Sequence, residues 1–428
     1  MPQHSSFADL GLAPVVTHAL RRIGVESPFP IQAAAIPDAL GGRDILGHAP
    51  TGSGKTLAFG LPLLQRLSGS SSRPSSPRGL VLVPTRELAL QIEASLDEPA
   101  LASGVRVMAI VGGVPLKRHI ERLRRGVDVV VATPGRLEDL TAQDAVSLAD
   151  VTVTVVDEAD RMSDLGFLPQ VRKLLDRTSK DGQRMLFSAT LDGDVSELVE
   201  QYLHSPVVHR TESTEPERAA MSHHFFRVSA EEKDSVATVL AARDGRTIVF
   251  LRTKHAVDRF AEGLRTAGVD AVALHGDKTQ AARTRALASF GNGSVPVLVA
   301  TDVAARGLHV DGVTLVLHVD PPADAKDYTH RAGRTARAGD SGTVVTLVAP
   351  GQEEHVSALA IEAGIAVAFT DVTRSSPVLR EVAGARAPTG VPVVRSAAAP
   401  AATTPRQGRR NASPARGSRE HGQRRGPR

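Results

Sequence analysis

Ala49-Pro50-Thr51-Gly52-Ser53-Gly54-Lys55-Thr56 follows the apolar pair Ile45-Leu46 and leads into a helix-forming stretch from Leu57. Gly52 and Gly54 let the backbone turn so that successive N–H groups face one anion. Lys55 supplies a positive charge and Thr56 a hydroxyl for Mg²⁺. The dipole of the following helix adds to the attraction. The usual phosphate-loop pattern has glycine where Ala49 stands. Downstream, Asp157-Glu158-Ala159-Asp160 closes the apolar run from Thr152 to Val156. That puts acids at the carboxyl end of a buried strand, where open α/β sheets bind ligands. Asp157 can hold Mg²⁺ directly or through water, and Glu158 can polarise a water that attacks a γ-phosphate. An acidic strand end alone could be a helix cap; with a phosphate loop upstream, hydrolysis of a nucleoside triphosphate is the stronger reading.

Strands and helices must hold these groups in place. Short runs rich in β-branched residues, at 79–83, 127–132, 151–156, 184–187, 247–251, 295–300 and 343–348, predict strands covered on both faces of a parallel sheet. The Ala-, Leu- and Arg-rich stretches 257–267 and 280–290 predict helices between them. The alternation is an α/β signature. Residues 211–222 are polar without periodicity and predict a linker between two lobes. The expected organisation is 1–35 leading into the first lobe, 36–210 the first lobe, 223–368 the second, and 369–428 a disordered tail. Ser68 to Gly79, rich in Ser and Pro, reads as a flexible surface loop.

A chain of 428 residues is long for one core, and 41% hydrophobic with 23% charged residues suits ordinary folded domains. The absence of cysteine excludes disulfides, thiolate zinc sites and cysteine nucleophiles, and the 15 histidines show no metal-ligand spacing. The N-terminus lacks a signal-peptide pattern, and no apolar run reaches the ~18 residues of a membrane span. A cytoplasmic protein without membrane contact is expected. Net charge is +4, yet Arg406 to Arg428 holds eight arginines against Glu420, which leaves residues 1–405 at −3. A nucleic-acid partner would therefore be gripped by local contacts and the tail, not by an overall positive field.

In these features the chain resembles the DEAD-box ATP-dependent RNA helicase family of superfamily 2, bacterial type, over roughly residues 7–368. Phe7 and Gly24-Val25-Glu26-Ser27-Pro28-Phe29-Pro30-Ile31-Gln32 are similar to its Q motif. The resemblance implies that Gln32 hydrogen-bonds adenine and Phe7 stacks on it; an amide, donor beside acceptor, suits the adenine edge. Pro84-Thr85-Arg86-Glu87-Leu88 resembles motif Ia, Gly112-Gly113 the glycine pair, and Thr133-Pro134-Gly135-Arg136 motif Ib, all implied to touch the RNA backbone. Hydroxyls, N–H groups and Arg serve phosphate oxygens without reading bases, so binding to structured or duplex RNA should be sequence-independent. Ser188-Ala189-Thr190 resembles motif III, with hydroxyls implied to bond Asp160 and couple the ATP and RNA sites. Those hydroxyls could equally cap the next helix.

In the second lobe, Val249 to Thr253 resembles motif IV, and His275-Gly276 with Gln280 and Arg283 the Q-x-x-R element. Ala300 to Gly307, with Thr301 and Asp302, resembles motif V. The resemblance places Thr253, Gly276, Gln280, Arg283, Thr301 and Asp302 on RNA. His330 to Arg337 resembles motif VI: Arg334 and Arg337 are implied arginine fingers, three apart and so near one helical face, and His330 a coupling residue. The family usually has Asp where His309 stands, with Asp311 nearby as a substitute. It usually has Ile and Gly where the helix-compatible Ala332 and Ala336 stand.

The resemblance implies two tandem RecA-like domains, each a mostly parallel sheet flanked by helices, plus a disordered basic tail. ATP would sit on Phe7, Gln32 and residues 49–56, Mg²⁺ on Thr56 and Asp157, with Lys55, Glu158, Arg334 and Arg337 catalytic. Hydrolysis would await RNA-induced closure, since a finger from the other lobe is worth about 10³–10⁵ in rate. The implied outcome is local separation of RNA strands; an ATP-gated RNA clamp or assembly scaffold with little unwinding shares every motif. A monomer is expected, with ribosome-assembly or RNA-decay components as candidate partners.

Overall fold

Val129-Val130-Val131-Ala132 is apolar and buried at every position, which leaves it no solvent face and requires helices on both sides. The computed structural model describes residues 6–49, 53–191, 193–211, 221–305, 310, 312–336 and 341–395, and builds two such sheets. The first contains β1 (Ile45–His48), β2 (Gly79–Leu82), β3 (Val107–Ile110), β4 (Val129–Ala132), β5 (Val153–Asp157), β6 (Gln183–Ser188) and β7 (Val207–Arg210). Their order is β3-β4-β2-β5-β6-β1-β7, parallel throughout. The second contains β8 (Met221–Arg227), β9 (Arg246–Phe250), β10 (Ala271–Leu274), β11 (Val297–Ala300), β12 (Val313–His318), β13 (Gly342–Val348) and β14 (Phe369–Asp371). Their order is β10-β11-β9-β12-β13-β8-β14, again parallel throughout. Each sheet separates two apolar clusters, one under each helical layer. This is the expected α/β organisation in two tandem lobes.

Three expectations change. The second lobe does not end at 368: β14 pairs with β8, and the helix Val378–Ala383 buries Leu379 and Ala383 in the core shared with Val345 and Leu347. Val372 and Ala385 join that core, and Gly390 and Val393 donate backbone hydrogen bonds to Ala267 and Arg265. Beyond Phe369, whose ring meets Phe225, Val372, Leu379, Ala383 and Ala385 do this without aromatics, so an aromatic-free composition is a poor guide to where folding stops. The loop 68–79 is tied down, not loose: Ser72 N donates to Asp128 at 2.8 Å, Arg78 pairs with the same carboxylate at 3.0 Å, and Arg73 meets Asp150. The expected linker loses its last two residues, because β8 already begins at Met221. The rest of that linker, 212–220, and the tail from 396 lie outside the described residues.

Candidate functional site

Because every strand is parallel, the loops leaving the carboxyl ends of each sheet lie along one edge. β5, β6 and β1 are neighbours, so Asp157, Ser188 and the phosphate loop leave the sheet side by side. Gly54 has φ +85°, and a Cβ there would come within 2.5 Å of Gln32 Nε2 and 2.8 Å of the Phe29 ring. Glycine is therefore required both by the backbone and by close packing. The helix Lys55–Leu67 starts directly after it. Lys55 Nζ donates to the Ala49 carbonyl at 2.8 Å, folding back across the loop. Gln32 is buried with both amide ends engaged: Oε1 accepts from Phe29 N at 2.9 Å and Nε2 donates to Gly54 O at 2.9 Å. It joins the segment expected to read the base to the cradle expected to hold phosphate.

The acids are buried together. Burial pushes the Asp157 carboxyl up to about 7, and neighbouring Glu158 adds to the rise while Lys55 opposes it. Burial would raise Glu158 too, but Arg161, Lys55 and Arg334 outweigh it and bring Glu158 down to about 2. Glu158 therefore stays ionised at neutral pH as a hydrogen-bond acceptor. Its backbone sits at φ 54°, a left-handed conformation unusual for a side-chain-bearing residue and a strain concentrated where chemistry is expected. Its Oε2 meets Arg161 Nη1 at 2.5 Å, while Arg161 Nε and Nη2 are buried without a hydrogen-bond partner among the described residues. Asp160 Oδ2 accepts from Thr190 N at 3.2 Å and Thr190 Oγ1 at 3.4 Å, and Asp160 N donates to Ser188 Oγ at 3.1 Å. Both hydroxyls of the segment resembling motif III thus bond to Asp160.

The second lobe meets these groups. Arg334 is buried, its Nε donating to His330 O at 3.1 Å, and its charge acts on Glu158 across the cleft. Burial first, then the charges of Arg161 and Arg334, bring His330 down to about 4, against the opposing pull of Asp160 and Glu158. Lys326 pairs with Asp164 of the first lobe at 2.8 Å. The helix carrying His330 ends at Ala332, so Arg334 lies in the turn beyond it and not on a helical face. Ala336 has φ 53°, which accounts for glycine being usual there; it is not helical as expected.

The other half of each sheet carries the residues expected on RNA. β2, β3 and β4 lead to Pro84, to Gly112-Gly113 and to Thr133. Thr85 Oγ1 accepts from Leu88 N at 3.2 Å and caps the helix Arg86–Ser103. The Arg86 guanidinium lies so close to Gly112 and Gly113 that a Cβ on either would be within 2.9 Å of it. Thr133, Pro134 and Gly135 open the next helix, and Arg136 Nη1 donates to Val114 O at 2.6 Å. In the second lobe β9, β10 and β11 lead to Thr253, Gly276 and Thr301, with Thr253 capping its helix.

Four side chains fall elsewhere than expected. Gln280 Nε2 and Arg283 Nε reach buried Glu87 of the first lobe at 3.2 and 2.8 Å, so they bridge the lobes beside Arg86 instead of facing outward. Asp302 forms a two-pronged ion pair with Arg331, at 2.5 and 2.7 Å, as befits an acid that would repel phosphate. Phe7 is 3% exposed among Leu10, Leu12, Val16, Leu20, Ile36 and Leu61, so its ring anchors the N-terminal segment and has no free face for adenine. The exposed ring beside Gln32 and Gly54 is Phe29, at 47%. An aromatic inside the glutamine segment of so aromatic-poor a chain was the available signal for it. Nothing in the sequence marked Glu87 or Arg161 as bridging residues. Pro50, Thr51, Gly52, Arg306, Gly307, His309, Asp311 and Arg337 lie outside the described residues.

Among the described residues no group of three or more His, Asp or Glu side chains could hold a metal by itself. Thr56 and Asp157 nevertheless suit a Mg²⁺ that arrives with phosphates, since that ion takes one or two protein ligands and keeps the rest from water and substrate.

Known proteins are similar to this chain in sequence and in fold. The family model described as DEAD/DEAH box helicase matches residues 29–198, and that described as helicase conserved C-terminal domain matches 230–339. The chain is 38% identical over 357 residues to the DEAD-box ATP-dependent RNA helicase CshA of Geobacillus kaustophilus, covering 82% of this chain and 76% of the relative. It is 38% identical over 394 residues to the mitochondrial DEAD-box ATP-dependent RNA helicase 9 of Arabidopsis thaliana, covering 89% of this chain but only 64% of that relative's length. Its fold is similar to that of S. cerevisiae Dbp5 bound to RNA and ADP BeF3, with TM-score 0.75 at 27% identity over 88% of this chain and 99% of that one. Mss116p bound to ssRNA and AMP-PNP gives 0.74 at 26%, covering 88% and 80%.

Proposed function

The chain belongs to the DEAD-box helicase family, and from that premise we propose that it is an RNA-stimulated ATPase that separates RNA strands locally, converting ATP and water to ADP and phosphate. The observation that carries this reading is that the charge of buried Arg334, from the second lobe, acts on Glu158 of the first, which is itself paired with Arg161. The sheet halves leading to the residues expected on RNA adjoin at Glu87, Gln280 and Arg283. A hydrolytic centre divided in this way is complete only while the lobes are together, and a strand lying across both halves favours that state.

In the mechanism, ATP lies on the first lobe with its base against Phe29 and the segment held by Gln32. Its phosphates face the amides of the loop ending at Gly54, and Lys55 exchanges the Ala49 carbonyl for a phosphate oxygen. Thr56 and Asp157 would hold Mg²⁺, which when bound neutralises phosphate charge. Ionised Glu158 accepts a hydrogen bond from the attacking water and orients it. Arg334, with Arg337 by the family resemblance, brings positive charge to the phosphoryl group as it leaves ADP. Asp160, through Ser188 and Thr190, ties the acids of β5 to the end of β6. RNA is held by its backbone, so the choice of sequence is weak.

The test is phosphate release with and without RNA, run beside displacement of a labelled strand from a duplex. Glu158→Gln should keep ATP binding and lose about 10²–10⁴ in turnover, the usual contribution of a positioned base. Arg334→Ala should lose the stimulation by RNA. Unaltered RNA-stimulated turnover in both variants would reject the assignment. Turnover without strand displacement would favour the ATP-gated clamp.

A further inference from the structure

The helix Leu116–Arg124 follows Gly112-Gly113 after a short turn and is two-sided. His119 and Leu123 are buried and Leu116 and Ile120 partly so, whereas Lys117, Arg118, Glu121, Arg122, Arg124 and the adjoining Arg125 face solvent. Five bases against one acid stand out in a chain whose first 405 residues sum to −3. A face serving only solubility would mix and pair its charges. Among the described residues, Arg122 alone of these bases reaches a carboxylate, Glu93 at 3.4 Å.

The helix dipole separates two kinds of base. Cations near the carboxyl end complement it, so Arg122, Arg124 and Arg125 are explained by helix stability. Lys117 and Arg118 occupy the first turn, where the same dipole disfavours a cation by about 0.3–1 kcal/mol each. Local stability gives no reason for them.

Position supplies one. Only Val114, Pro115 and Leu116 separate Gly113 from Lys117, and Arg136 clamps that turn through its bond to Val114 O. The fields overlap as well. His119, on the buried side of this helix, is brought down to about 4 by burial and by the charges of Arg136 and Arg122.

We infer that the solvent face of the helix Leu116–Arg124, led by Lys117 and Arg118, is an additional RNA-phosphate contact that grips the strand beyond the Gly112-Gly113 track. The inference rests on the proposed reading that RNA crosses that track. Phosphate is the chemistry this face fits: it has no aromatic ring to stack on a base and none of the exposed large hydrophobic side chains that a protein partner would bury. The contact adds affinity and salt dependence without reading sequence.

The test uses the full chain, a non-hydrolysable ATP analogue for binding and ATP for turnover, and two oligouridylates, one just long enough to cross the track and one several times longer. Reversing both charges with Lys117→Glu and Arg118→Glu should weaken the longer strand about tenfold or more. Its plot of log affinity against log salt should become shallower by about 0.7 for each phosphate no longer neutralised. Affinity for the short strand, turnover saturated with it, and melting temperature should stay near wild type. The charge-keeping pair Lys117→Arg and Arg118→Lys should bind the longer strand as wild type does. Unchanged affinity for the longer strand would overturn the inference and leave an acidic protein segment as the occupant of this face. Equal loss on both lengths would also overturn it, by putting these residues inside the track. If the wild type bound neither strand, the reading of the track itself would fall instead.

Discussion

At the scale of single residues, identity and role part company most clearly at the two phenylalanines. Phe7 has the position expected of a stacking ring and the environment of a core residue, whereas Phe29 has the exposure. Base stacking on an aromatic side chain is worth about 1–3 kcal/mol. Phe29→Ala should therefore raise the KM for ATP by roughly five- to 150-fold, with Phe29→Tyr close to wild type. Phe7→Ala should instead destabilise the first lobe by about 3–5 kcal/mol, as read from denaturant titration. The reverse pattern, a KM effect at Phe7 and none at Phe29, would return the stacking role to Phe7. Ala336 offers a second test, because φ 53° strains any side chain. Ala336→Gly should raise stability by about 1 kcal/mol, and a loss on that substitution would contradict the strain.

At the scale of elements, the order of strands separates the two chemistries. In the first lobe β3-β4-β2 serves the residues expected on RNA and β5-β6-β1 those expected on ATP. In the second, β10-β11-β9 repeats the first arrangement, and the helix Ala325–Ala332 with the turn carrying Arg334 follows β12, which occupies the place of β5. One topology is thus used twice, and the halves whose residues are expected on RNA meet through Gln280, Arg283 and Glu87. The last elements matter in a different way, by completing a core. Residues 369–395 bury Val372 and Leu379 against the second-lobe core, and such side chains contribute about 1.5–3 kcal/mol each. A chain ending at 395 should melt with the full chain, and one ending at 368 many degrees lower. Equal melting temperatures would show that β14 and the helix Val378–Ala383 add nothing to the second lobe.

At the scale of the whole molecule, buried imidazoles link stability to pH. Burial brings His223 down to about 4, with His224 assisting, and holds His318 well below its ordinary range, with Arg331 and His223 assisting. His119 is likewise near 4. Above pH 6.5 these rings are neutral whether folded or not, and their contribution to stability is complete. Below 6.5 the unfolded chain binds protons that the folded chain refuses until about pH 4, so stability falls through that window. The melting temperature should drop by several degrees from pH 7.5 to 5. A flat profile would show that these imidazoles accept protons freely in the fold.

Local order decided what could be read in the sequence. The phosphate loop, the acids after β5 and the bases of motif VI depend on spacing within single loops, and a loop between a strand and a helix puts its residues at a sheet edge whatever the rest of the chain does. Runs such as Val129 to Ala132 announced buried strands for the same reason: apolar on every side, they have one stable environment. β12 escaped notice although Val313 to His318 has that composition, and β14 had too few residues to signal anything. Tertiary structure alone decided which side chains face which. The union of Gln280 and Arg283 with Glu87, the capture of Asp302 by Arg331, the burial of Phe7 and the approach of Arg334 to Glu158 join residues far apart in the chain. Such pairings cannot be read from any local stretch, because the free energy of placing a charge or a ring depends on what packs around it.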